Sequence, residues 1–295
     1  MQQCDMLLHA AIIVTQDSER RVLENASLAV DHGQVAAVGP RADLAPHWQP
    51  RRDLDLGRAI LLPGLVNAHT HAAMTLLRGL ADDMPLMDWL NQRIFPVEQT
   101  LTAEMVHLGC LMGYAEMLRT GTTACMDMYL FEESVLRAAA EAGLRCTGGE
   151  AVFAFPSAAC ASPQAALEAT HALAAACKDN DRLRVAVNPH SVYTTTPEIL
   201  TACRDLAAEL HLPLHIHLAE TPTETQICVG TQGQRPVAYC ASLGLLDLPC
   251  TLAHVVDVTP RELDLLARKN IVVAHNPSSN MKLASGAAPV AAMLE

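Results

Sequence analysis

Pro63-Gly64-Leu65-Val66-Asn67-Ala68-His69-Thr70-His71 is an apolar run that ends in two histidines spaced i, i+2. In a strand that spacing puts both imidazoles on one face, where they can share a metal ion. Alone the pair fits surface or core histidines as well, but the pattern repeats. Other strand-like runs end at His190, at His217 in His-Ile-His-Leu-Ala-Glu, at His254 and at His275. In a parallel barrel the C-terminal ends of all strands face one mouth, so residues far apart in sequence converge there. Glu220, three residues beyond His217, falls just past its strand, where a proton shuttle belongs. His215 shares the inward face of His217 one layer deeper and reads as a core residue or a support. His275, beside Asn276-Pro277-Ser278-Ser279-Asn280, reads as shaping the mouth. His9, His32, His47, His107, His171 and His211 read as solvated or packed.

These histidines need a frame. Residues 1 to about 60 predict a small β unit, with strands over Met6-Val14, Ala26-Val30 and Gln34-Val38. From Ala59 onward, strand-length apolar runs alternate with longer helical stretches, as in βα units around a parallel sheet. The predicted strands are Ile60-Val66, Thr122-Met128, Arg145-Val152, Leu183-Val187, Leu214-Leu218, Thr251-Val256 and Ile271-Ala274. The predicted helices are Thr102-Leu118, Phe131-Ala142, Pro163-Lys178, Pro197-Glu209 and Pro260-Arg268, the last two opening with Pro after Thr. Seven steps are one short of a closed barrel, and an open doubly wound sheet fits the periodicity equally.

Composition narrows the class. The 295 residues are 51% hydrophobic and 18% charged, enough for a large core without disulfides. A net charge of -12 argues against nucleic acid or anionic membrane as partner. The ten cysteines include no CxxC pair and read as reduced thiols of a cytoplasmic protein. The apolar stretch Met6 to Val14 has neither the flanks of a signal peptide nor the length of a span.

Taken together, Pro63 to His71, the His217 and Glu220 pair, His254 and Asn276 to Leu283 resemble the metal-dependent amidohydrolase superfamily. The stretch Met74 to Asp83, followed by Trp89-Leu90 and Pro96-Val97-Glu98, is similar to its 5-methylthioadenosine/S-adenosylhomocysteine deaminase branch. The resemblance implies an α/β fold, a TIM-type (β/α)8 barrel, incomplete here at about seven βα units. It divides the chain into the N-terminal part of a small β-sandwich over 1–59 and the hydrolase barrel over 60–295. It implies one zinc ion per chain, or iron, held by His69, His71 and His217, with Glu220 and His254 at the reaction centre. It places Trp89, Glu98 and His190 against the substrate, Glu98 accepting from ribose hydroxyls. The implied reaction is hydrolytic deamination of an adenosine-type nucleoside by a metal-bound hydroxide, giving the inosine-type product and ammonia. A guanine deaminase, a chlorohydrolase or a catalytically inactive scaffold are the alternatives, and homo-oligomerisation is implied by analogy. On the residues alone, Trp89 reads as a loop aromatic, Glu98 as a solvated acid, Met74 and Leu77 as helical packing, and His190 equally as a loop cap.

Two departures from the family pattern carry expectations. Some relatives bind the homocysteine carboxylate with arginines after the third strand. Here no Arg lies between Arg145 and Arg182, and Glu150 falls near the expected position, so a neutral thioether is the expected substrate. The sequence also stops at Glu295, in the helix after the seventh strand, before the eighth strand and its metal-binding Asp. We expect these residues to be an incomplete gene product with little activity alone, the alternative being a shortened relative that dimerises.

Overall fold

A computed structural model describes residues 1–295. It divides into two compact units, Met1–Leu65 and Val66–Glu295. The first unit is a mixed five-stranded sheet of β1 (Gln2–Val14), β2 (Val22–Asp31), β3 (Gln34–Pro40), β4 (Trp48–Asp55) and β5 (Ile60–Leu61). Its order is β3-β2-β1-β4, with β5 also pairing to β1. β4 escapes sequence reading because Trp-Gln-Pro-Arg-Arg-Asp-Leu-Asp lacks an apolar alternation; it is an edge strand carrying charge, as exposed edges do. Buried His9 is packed, as expected, between Ser27 Oγ at 2.6 Å and Asp53 Oδ1 at 2.9 Å.

The second unit is α/β with parallel strands. It contains β6 (Leu65–Thr70), β7 (Thr122–Asp127), β8 (Arg145–Gly148), β9 (Ala151–Val152), β10 (Leu183–Val185), β11 (Asn188–Pro189), β12 (Leu214–Leu218), β13 (Cys250–His254) and β14 (Ile271–Ala274). The ladders run β6-β7-β8-β10, β9-β11 and β12-β13-β14, with single bridges Val187 to Leu214 and Ser191 to His217 joining the last two groups. The strands thus form seven successive staves in chain order, from β6 to β14, and no ladder closes the two ends. Two sequence-based strands divide and a third shortens. Ile60-Val66 splits between β5, which joins the first unit's sheet, and β6, because Pro63-Gly64 interrupts the ladder. Arg145-Val152 breaks into β8 and β9 at Gly149, where a Cβ would stand 1.9 Å from the Ala186 carbonyl oxygen. Leu183-Val187 shortens to β10 (Leu183–Val185), and β11 (Asn188–Pro189) lies beyond its expected end.

Five of the helices start where Thr or Ser caps them. Thr102, Ser162, Thr196, Thr221 and Thr259 each accept the N–H three residues on, and in four of these helices Pro occupies the first turn. Helix Pro222–Gln232 is one that periodicity did not reveal, since its faces are barely amphipathic. No helix is long and apolar enough to cross a membrane.

Candidate metal centre and active site

β6 carries His69 and leads directly into His71, and β12 carries His217, the alternation of the chain keeping His69 and His71 on one face. One ligand atom from each lies within 4.8 Å of the others. Hydrogen bonds fix how two of the rings are presented. His71 Nδ1 donates to the Met128 carbonyl, and His217 Nδ1 donates to the His190 carbonyl at 2.8 Å. A carbonyl can only accept, so both Nδ1 atoms carry the proton and both Nε2 atoms present a bare lone pair. These two Nε2 atoms face each other at 3.2 Å. Two lone pairs at that distance repel, whereas two nitrogens bound about 2.0–2.1 Å from a tetrahedral zinc are separated by roughly 3.3 Å. The donor set therefore fits a divalent ion. His69 Nδ1 meets His215 Nε2 at 2.9 Å, so the fully buried His215 supports the third ring, as expected of the deeper layer. Burial, reinforced for His69 and His217 by the neighbouring imidazoles, holds all three rings below the usual imidazole range. They are neutral at pH 7, the state in which imidazole is a ligand.

The ends of β12 and β13 are strained. Ala219, His254 and Val255 have φ of 52°, 77° and 47°, a region sparse for any side chain and an outlier for a β-branched one. Val255 N–H donates to Leu218 O at 3.1 Å and Val256 N–H to Ala219 O at 2.8 Å, tying the two ends together. Glu224 accepts from Ala219 N–H at 2.9 Å and Glu220 N–H at 2.7 Å, which stabilises the turn. Glu220 and His254 emerge from this turn into a cavity of about 450 Å³ that the three metal-centre histidines also line. His254 Nδ1 lies 2.8 Å from Asn280 Oδ1 and 3.5 Å from Glu220 Oε1. Burial, with the charge of Glu224 adding to it, pushes the Glu220 carboxyl up to about 8, and the Ser285 hydroxyl opposes the shift.

The far wall is apolar, built from Leu86, Trp89, Leu90, Phe95, Phe153 and Leu283. Trp89 and Glu98 do not sit in loops. The segment Leu86–Glu98 is continuously helical, with a π-helical turn over Leu90–Ile94, and both residues line the cavity. Glu98 is buried, not solvated, beside the equally buried Tyr129 hydroxyl. His190 also lines the cavity, its ring centroid 4.6 Å from that of Phe153 and its Nδ1 2.9 Å from Thr194 Oγ1. His275 sits at the mouth with Asn276. Glu150 is elsewhere: its carboxylate accepts from Phe131 N–H at 3.1 Å and Glu132 N–H at 2.9 Å, capping a helix start. It does not occupy a substrate tail position, although the cavity lining contains no Lys or Arg. Sequence reading missed Tyr129, Phe153, Tyr193 and Ser285. Only Asn280 lay inside a motif already singled out.

Burial pushes the Glu98 carboxyl up to about 7. The folded chain then binds a proton that the unfolded chain releases near pH 4.5, so this group's contribution to stability falls as pH rises from about 4.5 to 7 and is level above. Glu98→Gln removes that slope. We expect the stability of Glu98→Gln relative to the parent to rise across this window and plateau above pH 7 in urea titrations of metal-free protein; a pH-independent difference contradicts the assignment.

The amidohydrolase family model matches residues 60–295. The chain is 71% identical over 295 residues to a Desulfovibrio desulfuricans protein named 5-methylthioadenosine/S-adenosylhomocysteine deaminase, covering 100% of this chain and 67% of that one. It thus spans about two thirds of that relative's length. Among solved structures it is similar to a zinc-bound adenosine deaminase from Xanthomonas campestris, with a TM-score of 0.96, 38% identity and coverage of 99% and 67% of the two chains. A guanine deaminase from C. acetobutylicum shares the fold, with a TM-score of 0.89 at 21% identity over 98% of this chain and 71% of that one.

Proposed function

Since the chain belongs to the amidohydrolase family, we propose that it serves the hydrolytic deamination of a 5′-substituted adenosine, with 5-methylthioadenosine as the preferred substrate. The observation that carries this reading is the facing pair of bare Nε2 atoms on His71 and His217 at one end of a cavity that also holds Glu220, His254 and Glu98. His69, His71 and His217 would hold one zinc ion. That ion supplies Lewis acidity and a water acidified towards neutrality.

The chain's own residues do the rest. Glu220 takes a proton from the attacking water and delivers it to N1 of the purine, so the ring can accept the electron pair as oxygen bonds to C6. A carboxyl poised near 8 exchanges protons in either direction at neutral pH. His254 orients the attacking water. The proton left on the added hydroxyl then passes to the C6 amino group, the C6–N bond breaks and ammonia leaves, and the inosine-type base remains with a carbonyl at C6. Trp89 and the apolar wall exclude bulk water and pack the nucleoside, while Glu98 accepts from the ribose hydroxyls and His190 closes the remaining side. With the Glu98 carboxyl near 7, the acceptor form of that side chain grows as pH passes neutrality. The reaction belongs in the cytoplasm, which the ten free thiols suit.

Without a cation in the cavity lining, the zwitterionic tail of S-adenosylhomocysteine loses hydration and gains no ionic partner. The expected kcat/KM for 5-methylthioadenosine exceeds that for S-adenosylhomocysteine by about tenfold or more, read as ammonia release from zinc-loaded protein. Comparable values remove the preference, and turnover of guanine or a chlorotriazine with none of either nucleoside removes the deaminase assignment itself.

A further inference from the structure

The short segment Asn280 to Ser285 touches both side chains assigned to proton transfer and aiming. Asn280, within helix Pro277–Lys282, is buried and places Oδ1 2.8 Å from His254 Nδ1. Ser285, also buried, directs its hydroxyl at Glu220 Oε1 across 3.3 Å. The two are tied to each other, since Ser285 N–H donates to the Asn280 carbonyl at 2.9 Å.

We propose that Asn280 and Ser285 are positioning residues that act as one clamp. Asn280 holds His254 as the Nδ1–H tautomer with Nε2 bare, and Ser285 occupies Glu220 Oε1 so that Oε2 is the oxygen that takes and returns the proton. The inference rests on the deaminase reading for its kinetic part only. Glu220 Oε1 at 3.5 Å from His254 Nδ1 selects the proton on that nitrogen, because a bare Nδ1 would face a carboxylate oxygen. A rotated Asn280 amide would reverse the tautomer by presenting N–H. Backbone strain at His254 and Val255 leaves the imidazole's aim dependent on such a contact. Gly286, at φ 118°, lies next to Ser285 and sits where a Cβ would meet Val256 Cγ1 at 2.9 Å, so the segment also packs closely against the strand end after His254.

The test has two arms. Two-bond proton–nitrogen correlation spectra of the metal-free full chain, labelled with nitrogen-15 histidine, read the tautomer without substrate. We expect Nδ1–H at His254 in the parent and in Asn280→Asp, whose carboxylate can only accept, and a tautomer mixture in Asn280→Leu. Nε2–H in the parent overturns the Asn280 half of the clamp, whatever the enzyme acts on. In the zinc-loaded protein, Ser285→Ala should lower kcat about tenfold with KM within roughly twofold, and Ser285→Thr should restore most of the loss. An unchanged kcat in Ser285→Ala, or a loss that Thr does not rescue, overturns the Ser285 half. Absence of turnover in the zinc-loaded protein as its natural source makes it refutes the deaminase reading, and the tautomer arm still decides the Asn280 half.

Discussion

Glu220→Gln abolishes turnover and leaves the metal in place. The expected loss in kcat is about 10²–10⁴-fold, the contribution of a positioned general acid–base group. Gln matches Glu in shape and can still meet Ser285 and His254, but it can neither take the proton of an attacking water nor deliver one to the purine. Its backbone N–H remains held by Glu224 at 2.7 Å, so the strained turn between β12 and the following helix is kept. Because burial pushes the carboxyl up to about 8, replacing it with a neutral amide should raise the stability of the metal-free chain at pH 9 relative to pH 6 when both are compared with the parent. A Gln variant that is folded, loaded with zinc and active within tenfold of the parent contradicts the role.

His217→Ala removes the metal. The parent presents two neutral imidazole Nε2 atoms at 3.2 Å, and His217 supplies one of them together with the hydrogen bond to the His190 carbonyl. Loss of a direct ligand weakens binding by more than the roughly 10–100-fold that follows loss of a supporting hydrogen bond. Zinc should therefore stabilise the parent by about 2.7 kcal/mol or more at a hundredfold excess over Kd and leave the variant's unfolding midpoint unmoved. Should the cavity left at a buried position compromise folding, His71→Ala, at a half-buried position, tests the same site. Equal zinc-dependent shifts in the parent and both variants contradict the three-histidine centre.

Much of this site was legible because strand chemistry is short-range. His69, Thr70 and His71 announce a same-face pair by alternation alone, and His217 with Glu220 announces a strand end followed by a turn. What local pattern does not encode is which backbone carbonyl a ring nitrogen meets. Met128 and His190, each just past the end of a strand distant in sequence, orient His71 and His217, and no spacing rule finds them. The same limit explains Glu98. Its sequence neighbours suit a solvated acid, yet the π-helical turn ahead of it and Tyr129 beside it make it a buried one. Glu150 is a further case. It falls near the position where some relatives carry arginines, and the free N–H groups at the start of helix Glu132–Ala142 hold its carboxylate. In the fold, β4 was missed because an edge strand needs no apolar face of its own, and the split of Ile60-Val66 followed from a Pro-Gly step that hydrophobicity counting passes over.

The most direct measurement is mass spectrometry of the product formed from 5-methylthioadenosine, in oxygen-18 water, by the zinc-loaded protein as its natural source makes it. The account predicts an inosine-type product carrying one solvent oxygen at C6, with one ammonia released per product molecule. A zinc-loaded protein that returns the nucleoside unchanged, or a product with the amino group retained, contradicts it.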